Sequence, residues 1–178
     1  MASSLNLNTL DTVLTSFDSA LRNSLALFSL CQCRYPKVWL SELPGIYIPL
    51  CLEFCLHARR VNEICHLDPA EIPEIVSHRL RYLEIEGRHQ VDKNYLKALN
   101  RVIHSNYISL AFSQAADVEP GNELDQVVVA IEAESDRRQK AFIDLAGLVL
   151  IFRNEIVPRV QARLQNLSSA NNARGRLS

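Results

Sequence analysis

The chain has 178 residues, 48% of them apolar and 22% charged, with 19 basic against 20 acidic side chains and a formal net charge of −1. That length and balance suit a single globular domain able to bury a sizeable core. They exclude collagen-like, low-complexity and wholly disordered chains, and a surface that is basic throughout.

Five cysteines, Cys31, Cys33, Cys51, Cys55 and Cys65, stand inside apolar runs. An odd number so placed predicts reduced, buried thiols and a cytoplasmic protein rather than a secreted disulfide framework. The opening residues Met1 to Asn8 lack the basic residues and continuous apolar core of a signal peptide. The two most apolar stretches, 46–56 and 143–152, are about half the roughly twenty residues that span a bilayer. Glu53 and Asp144 interrupt them, so both are expected in the core and no membrane association is expected.

Between Thr9 and Leu30 the residues Leu10, Val13, Leu14, Phe17, Leu21, Leu25 and Phe28 recur at three- and four-residue steps. That period predicts a first helix. A break follows at Cys33-Arg34-Tyr35-Pro36, and Pro44-Gly45 and Pro49 place the start of a second helix near Ile48, running to about Cys65. Asp68-Pro69-Ala70-Glu71 reads as an N-cap, a first-position proline and first-turn acid, predicting a short helix through about Leu80 against the second. Gly87-Arg88-His89-Gln90 is a connection, after which Asp92 is expected to cap a helix carrying Tyr95, Leu96, Leu99, Val102 and Ile103, ending near His104.

The period then shortens. Tyr107, Ser109, Ala111 and Ser113 alternate with Ile108, Leu110 and Phe112, and Val127, Val129 and Ile131 alternate with Val128, Ala130 and Glu132. These predict two strands joined as an antiparallel hairpin over about 107–134, with the acidic stretch from Ala115 to Asp125 as its tip. A helix over 123–134 is the rival reading. Ser135 or Asp136 is expected to cap a long last helix through Phe142, Leu145, Leu148, Val149, Phe152, Ile156, Val160 and Leu164, kinked at Pro158. The polar run 166–178 is expected to be a disordered tail. The expected fold is mainly α: an up-and-down bundle of four to five helices in a single domain, 1–165, with a small β-hairpin before the last helix.

Two strings concentrate ionisable groups. His57-Ala58-Arg59-Arg60-Val61-Asn62-Glu63 sets such groups three and four apart on the second helix, and Asn100-Arg101-Val102-Ile103-His104 stacks Asn100 one turn below His104. Imidazole beside guanidinium is what metal-free cleavage of RNA requires: one takes a proton from a ribose 2′-hydroxyl, the other neutralises charge developing on the phosphate. Asparagine can orient either. The plain reading of the same residues is a histidine at a helix C-terminus and an arginine pair on a solvated face.

The run Leu56-His57-Ala58-Arg59-Arg60-Val61-Asn62-Glu63, followed by Leu99-Asn100-Arg101-Val102-Ile103-His104 at a helix end, resembles the pattern of small bacterial HEPN-like (higher eukaryotes and prokaryotes nucleotide-binding) proteins. The resemblance covers about half the chain. It implies a helical bundle, often dimeric, of the kind found in toxin–antitoxin and phage-defence systems, where many members are metal-independent ribonucleases. It also implies His104 as general acid/base, Arg59, Arg60 or Arg101 on the phosphate, and Asn100 as orienting residue. The partners it implies are RNA, a second copy completing the groove across a two-fold axis, and an antitoxin or other protein. Laying Asn100 and His104 on the family's polar residue and histidine puts Leu99 where the arginine stands and Arg101 two places late. Arg60 to His66 also fits the family spacing of arginine and histidine.

Other chemistries fit less well. The spacing of the five thiols with His57 and His66 lacks paired zinc knuckles, so no metal is expected. Five glycines provide neither a phosphate-cradling loop nor a dinucleotide fingerprint, so no cofactor is expected. Glu84, Glu86, Glu132 and Glu134 alternate as the solvent side of strands would. The alternative function is a non-catalytic helical module that binds a protein or RNA, favoured by fifteen arginines against four lysines, with Arg137, Arg138, Arg153, Arg159, Arg163, Arg174 and Arg176 in the final third.

Overall fold

Helix α1 (Leu7–Gln32) forms on the predicted apolar stripe, burying Val13, Phe17, Ala20, Leu27 and Cys31 while leaving Leu14 and Leu25 exposed. It belongs to a computed structural model that describes residues 7–76, 90–114, 125–135 and 138–174. The described chain is mostly helical with a small, mainly antiparallel sheet. A two-residue strand β1 (Tyr35–Pro36) and a 3-10 turn at Lys37–Trp39 lead to helix α2 (Leu43–Ile64), which packs along α1 with Asn23 Nδ2 donating to Glu53 at 3.4 Å. Helix α2 starts earlier than the sequence suggests, with Pro44 in its first turn and Pro49 inside it. Proline at 49 withholds an N–H from the Gly45 carbonyl, a loss confined to the helix's N-terminal portion.

At its other end α2 stops in a Schellman arrangement: the Leu67 N–H donates to the Asn62 carbonyl and the His66 N–H to the Glu63 carbonyl, both at 3.2 Å. His66 takes φ 48°, the left-handed conformation that glycine usually supplies there. The short helix expected after Asp68 is reduced to one 3-10 turn, Pro69–Glu71. Asp68 does cap it, its side chain accepting from the Ala70 N–H at 2.9 Å. Pro73 then forbids continuation, because it lacks an N–H and holds Ile72 extended, at φ −86° and ψ 120°. The remainder of that expected helix, 77–80, the Gly87 connection, Glu84 and Glu86 lie outside the described residues.

Strand β2 (Gln90–Val91) precedes helix α3 (Tyr95–Ile103). Asn94, not Asp92, caps α3, its side chain accepting from the Lys97 N–H at 2.9 Å. Strands β3 (Tyr107–Gln114) and β4 (Asp125–Ser135) pair antiparallel as expected, Ile108 opposite Ala133 and Leu110 opposite Ile131, which answers the helical rival for 123–134 over its described residues, 125–134. A bulge leaves Val129 of β4 extra, since Ala111 faces Ala130 and Phe112 faces Val128. The acidic tip, 115–124, lies outside the described residues.

The largest departure follows. Residues expected at the start of the last helix form strand β5 (Arg138–Asp144), antiparallel to β4 and parallel to β2. Ala141 and Ile143 are fully buried on one face of it, facing Ala133 and Ile131 of β4. Helix α4 (Leu145–Ile151) therefore begins at Asp144, whose Oδ1 accepts from the Gly147 N–H at 2.7 Å, not at Ser135 or Asp136. Through a π turn, Phe152–Ile156, it becomes α5 (Val157–Arg174). The irregularity expected at Pro158 takes this form: the ring cannot donate to the Asn154 carbonyl, and the widened turn absorbs the mismatch. Helix α5 runs to Arg174, past Gln165, where the polar tail was expected to begin, and 175–178 lie outside the described residues.

The core sits between α1, α2, α4 and the sheet. Phe54 and Phe152 meet edge to face at 5.3 Å, tying α2 to the π turn. Tyr35 and Tyr47 place their hydroxyls 3.0 Å apart, and Tyr35 donates to the Leu30 carbonyl. The extended segment 72–76 crosses α4 at Gly147, where an added Cβ would stand 2.7 Å from Ile75 Cγ2 and 3.0 Å from the Val76 carbonyl oxygen. Gly147→Ala is therefore expected to destabilise by about 1–2 kcal/mol, the crowding outweighing alanine's better helix propensity. A thermal unfolding midpoint equal to or above wild type would contradict that packing.

Cys31, Cys51, Cys55 and Cys65 are buried, as the sequence predicts, whereas Cys33 is exposed. Burial pushes the thiols of Cys51, Cys55 and Cys65 up, away from the reactive thiolate. An aromatic disulfide reagent at mildly alkaline pH is expected to label Cys33 quickly and the other four only after denaturation. Rapid labelling of a second thiol in the native protein would contradict this burial.

Candidate functional site

The two ionisable strings come together where α2 packs on α3. Apolar contacts do the bringing: Phe54, Cys55, Ala58 and Val61 of α2 and Tyr95, Ala98, Leu99 and Val102 of α3 are all buried in one core. The residues interleaved with them are left at the rim. Arg59 and His104, 45 positions apart, meet there with Arg59 Nη1 3.1 Å from His104 Nε2.

A guanidinium has only donors, so His104 Nε2 must accept, and the imidazole proton sits on Nδ1. Arg59 Nε donates in turn to Glu63 Oε1 at 2.7 Å, one helical turn along α2. The result is a line of carboxylate, guanidinium and imidazole at the surface, with Arg59 about one-third exposed and Glu63 and His104 open to solvent. His104 is the C-cap residue of α3, its N–H donating to the Asn100 carbonyl at 3.1 Å. Backbone thus fixes the imidazole's base while its ring projects outward.

Asn100 lies one turn before His104, half-buried, with Oδ1 shielded from solvent and without a hydrogen-bond partner among the described residues. A buried amide oxygen left unpaired costs about 1–3 kcal/mol. His57 Nδ1 on α2 is in the same condition. Of the remaining expected site residues, Arg60 is exposed and makes no hydrogen bond or ion pair with a described residue. His66, the other half of the Arg60 spacing match, terminates α2.

Arg101 is placed against the expectation that it faces phosphate. It is 4% exposed, with Nε bonded to Asp92 Oδ2 and Nη1 donating to the Gln139 carbonyl at 2.7 Å. Lys97 Nζ lies 3.0 Å from the other Asp92 oxygen. Asp92, read from sequence as a helix cap, is instead the 1% exposed anchor that binds α3 to β5 through Arg101. Leu99, at the position where the family pattern has its arginine, is fully buried in the core.

No family model matches this chain, and no match was found among curated proteins or solved structures. The site is therefore read from its own geometry.

Sequence reasoning named Glu63 and Asp92 but missed the pairings that each makes. Glu63 carried a signal, since Arg59 and Glu63 stand four apart on one helix and such pairs meet. Asp92 carried none, because its partner lies beyond a cap and a turn of helix. Glu132, assigned to the solvent side of its strand, is only 14% exposed at the side chain and is paired with Lys140 of β5. Among the described residues no three His, Cys, Asp or Glu side chains gather as metal ligands would, and no described helix is long and apolar enough to cross a membrane.

Proposed function

We propose that this chain is an RNA-directed module of the HEPN-like kind, a metal-independent endoribonuclease serving bacterial defence or a toxin–antitoxin pair. The reading takes its helices as a variant of that family's up-and-down bundle, acting in the cytoplasm, with RNA as substrate and an antitoxin or other protein as a regulatory partner. The observation that carries it is the contact of Arg59 with His104 across two helices. It supplies an arginine to the histidine despite Leu99 at the family position.

The chemistry follows from the tautomer. With its proton on Nδ1, His104 offers Nε2 as a base, and a phosphate arriving at the rim draws the Arg59 guanidinium away from the ring onto its own oxygens. His104 Nε2 then takes the proton of the ribose 2′-hydroxyl, the 2′-oxygen bonds to phosphorus, and the bond to the 5′-oxygen breaks. That leaving oxygen gains a proton from water, giving a 2′,3′-cyclic phosphate and a 5′-hydroxyl end, and the imidazolium returns its proton to solvent. Arg59 stabilises the charge on the phosphate, Glu63 holds Arg59 in place, and Asn100, one turn below His104, is the orienting residue.

The test is cleavage of total RNA and of tRNA by the purified protein in EDTA, beside the His104→Ala variant. Cleavage by the wild type that disappears in the variant supports the reading. No cleavage by either protein overturns it and leaves the non-catalytic binding module.

A further inference from the structure

Helix α4 and the π turn after it present two stripes of side chains. Leu148, Val149, Phe152 and Ile156 are fully buried in the core, while Gly147, Leu150, Ile151, Asn154 and Glu155 share another side at helical spacing. That second side meets Val76 of the extended segment, and the six residues line a cavity of about 170 Å³. Val76 is 60% exposed and Leu150 38%, so two large apolar side chains that folding leaves uncovered face one hollow. Widened helical turns recur at functional sites.

The walls are held in place by bonds of the fold itself. Arg159 Nη2 donates to the Glu71 carbonyl at 2.8 Å and Nη1 to Glu71 Oε2 at 3.1 Å, which fixes one end of the extended segment. The other end is fixed by the Ile75 N–H, which donates to the Lys93 carbonyl at 2.7 Å, and by the close crossing over Gly147. These bonds also set the condition of Glu155. With both Nη atoms of Arg159 directed to Glu71, Nη2 stands 3.6 Å from Glu155 Oε2, beyond hydrogen-bond reach. The Glu155 carboxylate and the Asn154 side-chain amide make no hydrogen bond with a described residue. Arg153, the cation of the π turn, reaches instead to Ser24 of α1. One arginine therefore faces two carboxylates, and the rim keeps a negative charge.

An apolar cavity of about 150 Å³ is filled by a single benzene molecule. We infer that this hollow is a binding site for a small primary ammonium carried on one ring or a branched chain of that size, its hydrocarbon on Val76, Leu150 and Ile151 and its ammonium on the oxygens of Glu155 and Asn154. An ammonium has three protons to donate and no lone pair, which matches a rim of carboxylate and amide oxygens. An anion would meet Glu155 as a like charge, and a neutral ligand would forgo the charge-assisted bond. Because the cavity walls are already pinned, little ordering opposes entry. This inference does not depend on the ribonuclease reading.

Heteronuclear NMR titration of the full chain with benzylammonium tests it, beside benzyl alcohol and phenylacetate as neutral and anionic ligands with the same ring. Saturable shifts are expected at the amides of 147–155, with a Kd on the order of millimolar for so small a ligand. Benzyl alcohol is expected to bind about tenfold more weakly, and phenylacetate not at all. Glu155→Gln is expected to bring benzylammonium down to the affinity of the alcohol, whereas Leu150→Ser is expected to weaken both about fivefold. Both positions are at the surface, and circular dichroism reports folding of each variant. Absence of saturable shifts, shifts centred elsewhere on the chain, equal affinity for ammonium and alcohol, or binding unchanged in either folded variant overturns the inference. If a variant does not fold, the comparison of the three ligands on wild type decides.

Discussion

Replacing His104 by alanine is expected to lower RNA cleavage in EDTA by about 10²–10⁴-fold, the usual contribution of a positioned acid/base group. The unfolding midpoint should barely move, because the ring is exposed and its hydrogen bond is to a solvent-facing arginine. Arg59→Ala is expected to cost about 10²–10³-fold, comparable to removing one donor to a developing oxyanion. In the proposed mechanism both act on one phosphate and one proton, so the double variant should be little worse than the more damaging single one. Quantifying 2′,3′-cyclic phosphate ends for the four proteins checks all of this. Unaltered cleavage by His104→Ala would remove the imidazole from the chemistry, and additive losses would mean that Arg59 and His104 do not act together.

The second large effect concerns stability. Asp92 and Arg101 are 1% and 4% exposed, so Asp92→Ala leaves the Arg101 guanidinium buried without its carboxylate, and Arg101→Ala leaves the buried Asp92 carboxylate with only the part-exposed Lys97 ammonium. Loss of about 3–5 kcal/mol is expected from Asp92→Ala or Arg101→Ala. For a domain of this size each kcal/mol lowers the unfolding midpoint by roughly 2–4 °C. Replacing the pair together with apolar residues, Asp92→Leu/Arg101→Met, is expected to recover most of the loss, because no charge is then stranded. Calorimetric melting of the single and double variants separates a buried pair from a solvated one: singles within about 0.5 kcal/mol of wild type would place Arg101 at the surface after all.

Much of the fold was legible where one period dominated. The first helix was placed within two residues at each end, and the two strands of the hairpin were recognised by alternation. Legibility failed where one set of residues satisfies both periods. Ala141, Ile143 and Leu145 are spaced for a strand, while Phe142, Leu145, Leu148 and Val149 are spaced for a helix. Pairing with β4 decides for the strand up to Asp144, which then serves as a cap. Such a decision rests on residues distant in sequence and leaves no local mark. At position 73 the mark was present, since proline there limits the turn after Asp68, yet the favourable cap drew the expected helix onward.

The candidate site divides in the same way. That Arg59, Arg60 or Arg101 serves His104 was implied by the family resemblance, and only the packing of α2 on α3 brings Arg59 within hydrogen-bond distance of it. Arg101 stands beside Asn100 in sequence but points to the opposite side of α3, into the pair with Asp92. Adjacent positions on a helix do not share a face, so one string of five residues divides between a surface role and a structural one.

The place of β4 also bears on how the chain reaches its native state. This strand touches β3, β5 and the short β1, and its contact with β1 joins Tyr35 to Gln126, some ninety residues apart in sequence. A ribosome must therefore emit most of the polypeptide before that contact can form, and the buried faces of α1 and α2 wait until then for the sheet that covers them. Closing so long a loop carries its entropic cost before any reward from burial arrives, which favours slow folding after synthesis over stepwise folding during it. In the interval Phe54 lacks the Phe152 ring that it meets edge to face in the native fold, and an apolar face left open in this way is the kind of surface that chaperones hold.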